Sequence, residues 1–167
     1  GSTPKALEIT SKIFRLEGLI LPITTGNSQL KTTFKDDTSV LGEHQLDKVK
    51  NGGKRIDSIS LTKPCSLYKR SQEEIETADY IIIGPGDLYA SLLPNFLVRG
   101  IKPTFQRTKA KLIYIVNLMT RYTQTHGYSA QDHVDQVEKY IGRSLDYILV
   151  NDEPIVPKIR KLYANKD

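Results

Sequence analysis

The residues with the clearest chemical promise lie between Asp79 and Leu93, in the stretch DYIIIGPGDLYASLL. Tyr80 to Ile83 is a short apolar run rich in β-branched residues, which reads as a buried strand. It ends in Gly84-Pro85-Gly86, and Asp87 then opens a segment with Leu88, Leu92 and Leu93 at helical spacing. A strand that runs through glycines into a helix start leaves backbone N–H groups without partners of their own. Such donors, with the helix dipole behind them, favour anions and above all phosphate. Gly84, Pro85, Gly86, Asp87, Leu88 and Tyr89 are therefore the expected floor of a phosphate-binding site. The turn is not a dinucleotide fingerprint, because Tyr89 stands where the third glycine is needed, and no Gly-Lys-Ser/Thr follows to make a P-loop. The same glycines also serve in plain strand-to-helix turns that bind nothing.

Asp87 complicates the site. A carboxylate about 4 Å from a phosphate charge repels it by roughly 4 kcal/mol at an effective dielectric of 20. The helix dipole returns only about 0.3–1 kcal/mol. Asp87 is therefore expected to turn inward as the helix N-cap. Otherwise a Mg²⁺ ion, or an Arg or Lys, stands between the two charges.

Ligands of open α/β sheets bind outside the carboxyl ends of the parallel strands. The other strand ends read here are Asn117-Leu118-Met119-Thr120 and Asn151-Asp152-Glu153, with Thr24 and Thr25 joining if Leu19 to Ile23 runs parallel too. Asn117, Thr120 and Asn151 are candidate ligand contacts, although such side chains also satisfy loop backbone. The polar loop Thr120 to Tyr128 carries Arg121, Gln124, Thr125 and His126 before Gly127, and is long enough to fold over a ligand. Thr125 and Gly127 are counted with the site, Arg121 and His126 as its outer members. His133 either lines the pocket or packs, with packing favoured, His44 is given no role, and Cys65 is a packing residue or an inert thiol with no histidine beside it. No His and carboxylate positions have metal-ligand spacing, so no cofactor is expected, Mg²⁺ at Asp87 excepted should a ligand bring it.

The elements that must position these residues fall into two textures. Tyr80 to Ile83, Leu112 to Val116 and Tyr147 to Val150 are continuous apolar runs separated by helical stretches at Leu88 to Val98, Ile101 to Thr108, Ser129 to Ile141 and Pro154 to Tyr163. Strands apolar on both faces belong to a parallel sheet covered on each side by helices. Before them come a helix at residues 4 to 16 ended by Gly18, a strand at Leu19 to Ile23, and a β-hairpin over Gln29 to Gly42. A basic loop follows at Lys48 to Lys54, then a strand with Ile56, Ile59 and Leu61, and a helix from Ser71 to Ala78 with Glu73 and Glu74 in its first turn. The expected architecture is one α/β domain over residues 1–167, Rossmann-like and three-layered. Its sheet is mainly parallel, with a hairpin excursion at about residues 27–55.

The chain has 167 residues, a formal charge of +5 and a pI near 9.2. Its 38% apolar and 26% charged residues describe an ordinary globular protein. Basic residues are scattered and few aromatics sit among them, which argues against nucleic acid and leaves an anionic small molecule as partner. No apolar run approaches the roughly 18 residues of a membrane span, and no charged-then-apolar leader is read at the front. A single cysteine makes no disulfide, so the cytoplasm is the expected compartment. Gly1-Ser2 reads as the remnant of a cleaved tag.

With these residues in view, the chain resembles the family that joins 2-phospho-L-lactate transferase (CofD) to the bacterial gluconeogenesis factor (YvcK). The segments that carry the likeness are IIIGPGDLYASLLPNFLVRGI (Ile81 to Ile101), NLMT (Asn117 to Thr120), THGYSAQDHV (Thr125 to Val134) and DYILVN (Asp146 to Asn151). GLILPIT (Gly18 to Thr24) and VLGEHQLD (Val40 to Asp47) fit in order. The likeness is nearer the gluconeogenesis-factor branch, whose turn typically reads Gly-Pro-Gly-Ser-Leu-Tyr. It implies a Rossmann-like fold, with Gly84, Gly86, Asp87, Leu88 and Tyr89 on the phosphate turn and Asn117 and Thr120 on the next strand end. For that branch it implies a UDP-type nucleotide sugar and a role in carbon metabolism or cell shape. For the transferase branch it implies Mg²⁺ and a phospho-acyl transfer from a GDP-linked donor to a deazaflavin. A non-catalytic interaction domain with a decayed pocket is the third reading, so enzymatic activity stays open, as does oligomeric state, a homo-oligomer included. Two departures stand out: Thr123-Gln124-Thr125 replaces the usual Gly-Glu-Thr, losing a carboxylate, and Asp87 stands where serine is common. The family's glycine-rich first strand-loop is expected ahead of residue 1, which makes this sequence the C-terminal portion of the family fold with a partial pocket.

Overall fold

The structure is a computed structural model that describes residues 2–49 and 54–164. The expected basic loop at Lys48 to Lys54 rests mainly on residues 50–53 and so lies outside the described residues.

In chain order the elements are α1 (Thr3–Ile13), β1 (Leu30–Phe34), β2 (Ser39–Leu41), α2 (Glu43–Lys48), β3 (Ile56–Leu61), α3 (Lys69–Thr77), β4 (Tyr80–Ile83), α4 (Ile101–Arg107), β5 (Lys111–Ile115), α5 (Ala130–Ile141), β6 (Tyr147–Leu149) and α6 (Pro157–Ala164). They form a mixed α/β fold with two sheets. Strands β4, β5 and β6 make a parallel sheet in that order, with Ile81 opposite Leu112 and Tyr114 opposite Ile148. The hairpin of β1 and β2 turns at Asp37, whose φ of 62° is the left-handed value that aspartate tolerates. Strand β3 pairs antiparallel with the far side of β1, so the excursion is a three-stranded sheet of its own, larger than residues 27–55.

Several local expectations are corrected. Leu19 to Ile23 is not a strand; only the neighbouring Thr24 forms an isolated bridge, to Leu67. Pro22 in its middle has no N–H to offer a ladder. The first helix stops at Ile13 rather than at residue 16, because Arg15, not Gly18, makes the left-handed turn, at φ 50°. Helix α3 starts at Lys69, which moves Glu73 and Glu74 out of its first turn. Leu88 to Val98 is not an α-helix. It is a π-helical turn at Leu88–Leu92, in which the Leu92 N–H reaches back to the Asp87 carbonyl (3.0 Å), followed by a 3-10 turn at Leu93–Leu97. Pro94 starts that second turn, as a residue without an N–H should.

The remaining correction concerns the parallel sheet's covering. One face is packed: Ile83, Leu112 and Tyr114 share a buried cluster with Ile101 and Phe105 of α4 and Val134, Val137 and Ile141 of α5. The other face is apolar but open among the described residues, with Tyr80 65% and Ile82 63% exposed. The side chains of β6, and Ile9 and Ile13 of α1, are exposed as well. Patterning on both faces is present; helices cover one.

Two substitutions on this sheet distinguish its faces. Leu112→Ala removes a fully buried side chain and should cost about 2–5 kcal/mol in urea unfolding. Ile82→Thr, on the open face of the neighbouring strand, should change stability by less than about 0.5 kcal/mol.

Candidate functional site

Residues 84–87 leave the carboxyl end of β4 beside the end of β5, as the sequence requires. Neither Gly84 nor Gly86 has a positive φ, and a Cβ at either would meet nothing within 4 Å. The fold therefore needs glycine at neither position. What the two glycines supply is bare backbone facing open space.

Two side-chain amides organise that backbone. The Gly86 N–H donates to Asn117 Oδ1 (3.1 Å) and the Asn117 Nδ2 group donates back to the Gly86 carbonyl (2.7 Å). Asn117 thus ties the end of β4 to the end of β5. One turn further on, the buried N–H groups of Tyr89 and Ala90 both donate to Gln124 Oε1, at 3.1 and 3.0 Å. Those amides are already satisfied, by a neutral oxygen placed where an anion's oxygen could have sat. Among the described residues, the N–H groups of Gly84, Asp87 and Leu88 have no partner. These three are the unpartnered donors; Gly84 and Asp87 are partly exposed, whereas Leu88 is buried.

Asp87 does not cap the helix, contrary to the expectation for it. Its Oδ2 accepts from an Arg121 guanidinium nitrogen at 2.6 Å, so the cation, not the cap, resolves its charge. The other terminal nitrogen of Arg121 lies 3.1 Å from Asp47 Oδ2, and Gln124 Nε2 donates to Asp47 Oδ1 at 3.3 Å. This accounts for an amide at position 124. Gln124 accepts from two N–H groups while donating to a carboxylate, and a second carboxylate could not donate there. Arg121 stays half exposed, so each ion pair contributes at most about 1 kcal/mol.

The lid residues divide. Thr125 is buried, and its Oγ1 accepts from the Arg121 N–H (2.9 Å) while its own N–H donates to the Arg121 carbonyl (2.7 Å). It closes the 121–125 loop. Gly127 has φ 73°, which favours glycine at that point, and His126 is exposed and packs edge-on against Tyr122. Thr24 spends its hydroxyl on the Ser66 carbonyl (2.7 Å), and Thr25 is exposed in the same loop.

Beside the corner lies a cavity of about 260 Å³ lined by Asn117, Thr120, Tyr128, Ser129, His133 and Asn151 among others. It opens at the carboxyl ends of β5 and β6, against the start of α5. Asn151 donates to the Glu153 carbonyl (2.8 Å) and keeps its side-chain oxygen. Helix α5 begins with a reciprocal cap: Ser129 Oγ accepts from the Asp132 N–H, and the Asp132 carboxylate accepts from the Ser129 N–H. Hydrogen bonds from Ser129 hold that carboxyl below its ordinary range. Tyr128 meets Tyr89 hydroxyl to hydroxyl at 2.8 Å, and burial pushes the Tyr89 phenol well up. His133 is 2% exposed, and its Nδ1 lies 2.9 Å from the Ser129 carbonyl, while Nε2 has no partner. Leaving such an atom buried and unmatched costs about 1–3 kcal/mol. Of the two readings of His133 from the sequence, packing or lining the pocket, both hold: the side chain is buried and it borders the cavity.

Among the described residues no three His, Cys, Asp or Glu side chains cluster to hold a metal. Asp87, the residue reserved for Mg²⁺, faces the Arg121 cation, and these side chains do not fit a divalent ion there.

The family model described as 2-phospho-L-lactate transferase CofD matches residues 1–167. The chain belongs to the CofD family. It is 36% identical over 168 residues to the gluconeogenesis factor of Halalkalibacterium halodurans, covering 99% of this chain and 51% of that protein. It is 38% identical to a Thermotoga maritima protein named as a candidate gluconeogenesis factor, covering 96% of this chain and 52% of that one. A crystal structure of a UPF0052-family protein from Bacillus halodurans superimposes with a TM-score of 0.91 at 35% identity, over 98% of this chain and 53% of that one. The chain thus spans about half the length of the CofD-family proteins it matches, and the α/β architecture is theirs. No helix among the described residues is long and apolar enough to cross a membrane.

Gln124→Leu leaves two buried N–H groups unmatched and should cost about 1–3 kcal/mol in denaturant unfolding. The cap of α5 gives a pH signature. The Asp132 carboxyl is depressed in the folded state, so its contribution is present above the unfolded value near 3.9 and is lost as pH falls through the folded value. Asp132→Asn should flatten the acid limb of a thermal-unfolding series below about pH 4.

Proposed function

We propose that this chain contributes the phosphate-binding corner of a UDP-type nucleotide-sugar site, in a protein that regulates carbon metabolism or cell shape. The observation that carries the reading is the pair of glycines, required by neither backbone nor neighbours, beside three unpartnered amides and the half-exposed Arg121. Bare amides and a guanidinium are the combination that recognises phosphate oxygens. Arg121 also answers the Asp87 repulsion, because the arriving anion meets a paired carboxylate. The names of the relatives at 36–38% identity support the regulatory branch, whereas the family model's name keeps phospho-acyl transfer from a GDP-linked donor as the competing activity. Gly84, Pro85, Gly86, Asp87 and Leu88 make the phosphate floor in this proposal. Asn117, Thr125 and Gly127 shape it, and Thr120 and Asn151 line the adjoining cavity. Tyr89 supports the floor from beneath, through its buried ring and its bond to Tyr128.

The test is a residue-resolved titration with millimolar UDP-glucose, GDP and deazaflavin in separate arms. UDP-glucose should shift the amides of Gly84, Asp87 and Leu88, with weak affinity for this chain alone. Gly86→Val, whose Cβ meets no neighbour within 4 Å, should leave stability within about 0.5 kcal/mol and weaken that binding tenfold or more. Unmoved corner amides, or a Gly86→Val variant that binds as the parent does, would sink the proposal; a response to GDP and deazaflavin alone would favour the transferase.

A further inference from the structure

We infer that the cavity beside α5 is a second subsite of this pocket. It would take the hydroxyl-bearing sugar ring carried at the far end of the phosphates from the nucleoside, not the ribose, with His133 Nε2 accepting from one of that ring's hydroxyls. The inference rests on the phosphate reading of the corner and adds to it a recognition element for the non-phosphate part of the ligand.

The chemistry starts from the imidazole. A carbonyl oxygen only accepts, so His133 Nδ1, 2.9 Å from the Ser129 carbonyl, carries the hydrogen. In the neutral ring Nε2 then bears a lone pair. That atom is buried and unpartnered, on a side chain that lines the cavity. Tyr128 stands edge-on to the ring at 5.5 Å and fixes its plane. A lone pair repels phosphate oxygens and attracts an O–H, which places the anion at the glycine corner and a hydroxyl here. The rest of the lining is matched to hydroxyls, which both donate and accept. The Ala130 N–H at the start of α5 and the Thr120 hydroxyl have no partner among the described residues, and Asn151 retains a free side-chain oxygen.

Size and placement agree. Pockets for drug-sized ligands measure about 300–1,000 Å³, so a cavity of about 260 Å³ suits one ring rather than a whole nucleotide. Asn117 borders both compartments, since it lines the cavity and is bonded to Gly86. A ligand with its phosphate on the corner can therefore extend directly into the cavity.

Labelling the histidines with ¹⁵N separates the two claims. UDP-glucose should shift the corner amides and also move the His133 Nε2 resonance upfield, as accepting a hydrogen bond does; UDP should move the corner amides alone. His133→Asn keeps a donor for the Ser129 carbonyl and removes Nε2. It should weaken UDP-glucose binding about tenfold, or about 1.4 kcal/mol, and leave UDP binding unchanged. Corner amides that shift while Nε2 stays still would overturn the subsite and spare the phosphate site. If neither moves, both fall, and an Nε2 shift with UDP alone would overturn the ring assignment. Should His133→Asn fail to fold, the Nε2 resonance of the unaltered protein still decides the matter.

Discussion

Where β4 leaves its sheet, backbone donors lose their ladder partners, and those of Tyr89 and Ala90 are buried away from water. Asn117 and Gln124 settle that problem with side-chain amides, one from the next strand end and one from the loop beyond it. These bonds hold three separate segments in register: the glycine corner, the end of β5 and the 121–125 loop. The unpartnered donors, the placement of Arg121 and the mouth of the cavity all follow from that bracing. It also limits the site, because amides satisfied internally cannot serve a ligand.

Charge is the second constraint. Arg121 stands between Asp87 and Asp47, so the local sum is one negative charge. Two acids around one arginine hold it in position and keep it half exposed, at the cost of electrostatic attraction for a distant anion. Recognition of phosphate at such a corner depends on short-range hydrogen bonds more than on long-range steering. The scattered basic residues behind the +5 charge supply a general field without a focused patch.

The parallel sheet has the composition of a buried layer and, among the described residues, a packed side and an open one. Its apolar strands on that open side, and the exposed apolar face of α1, carry the patterning of interior elements. The relatives that share this fold are about twice as long as the matched region.

The sequence by itself determined much of the secondary structure and the position of the corner. Continuous apolar runs located β4, β5 and β6, and Ser129 and Gly142 bounded α5 through cap chemistry acting within a few residues. Helix periodicity misled at Leu88–Leu97, where Pro94 and the Asp87 carbonyl impose wider and tighter turns that spacing alone does not encode. Tertiary structure alone decided that Gln124 serves two amides 34 and 35 residues away, that Asp47 joins Arg121, and that Asp87 pairs instead of capping. The reason is physical: caps and apolar periods act between neighbours in the chain, whereas an amide or a guanidinium finds its partner only once the strands have been brought side by side.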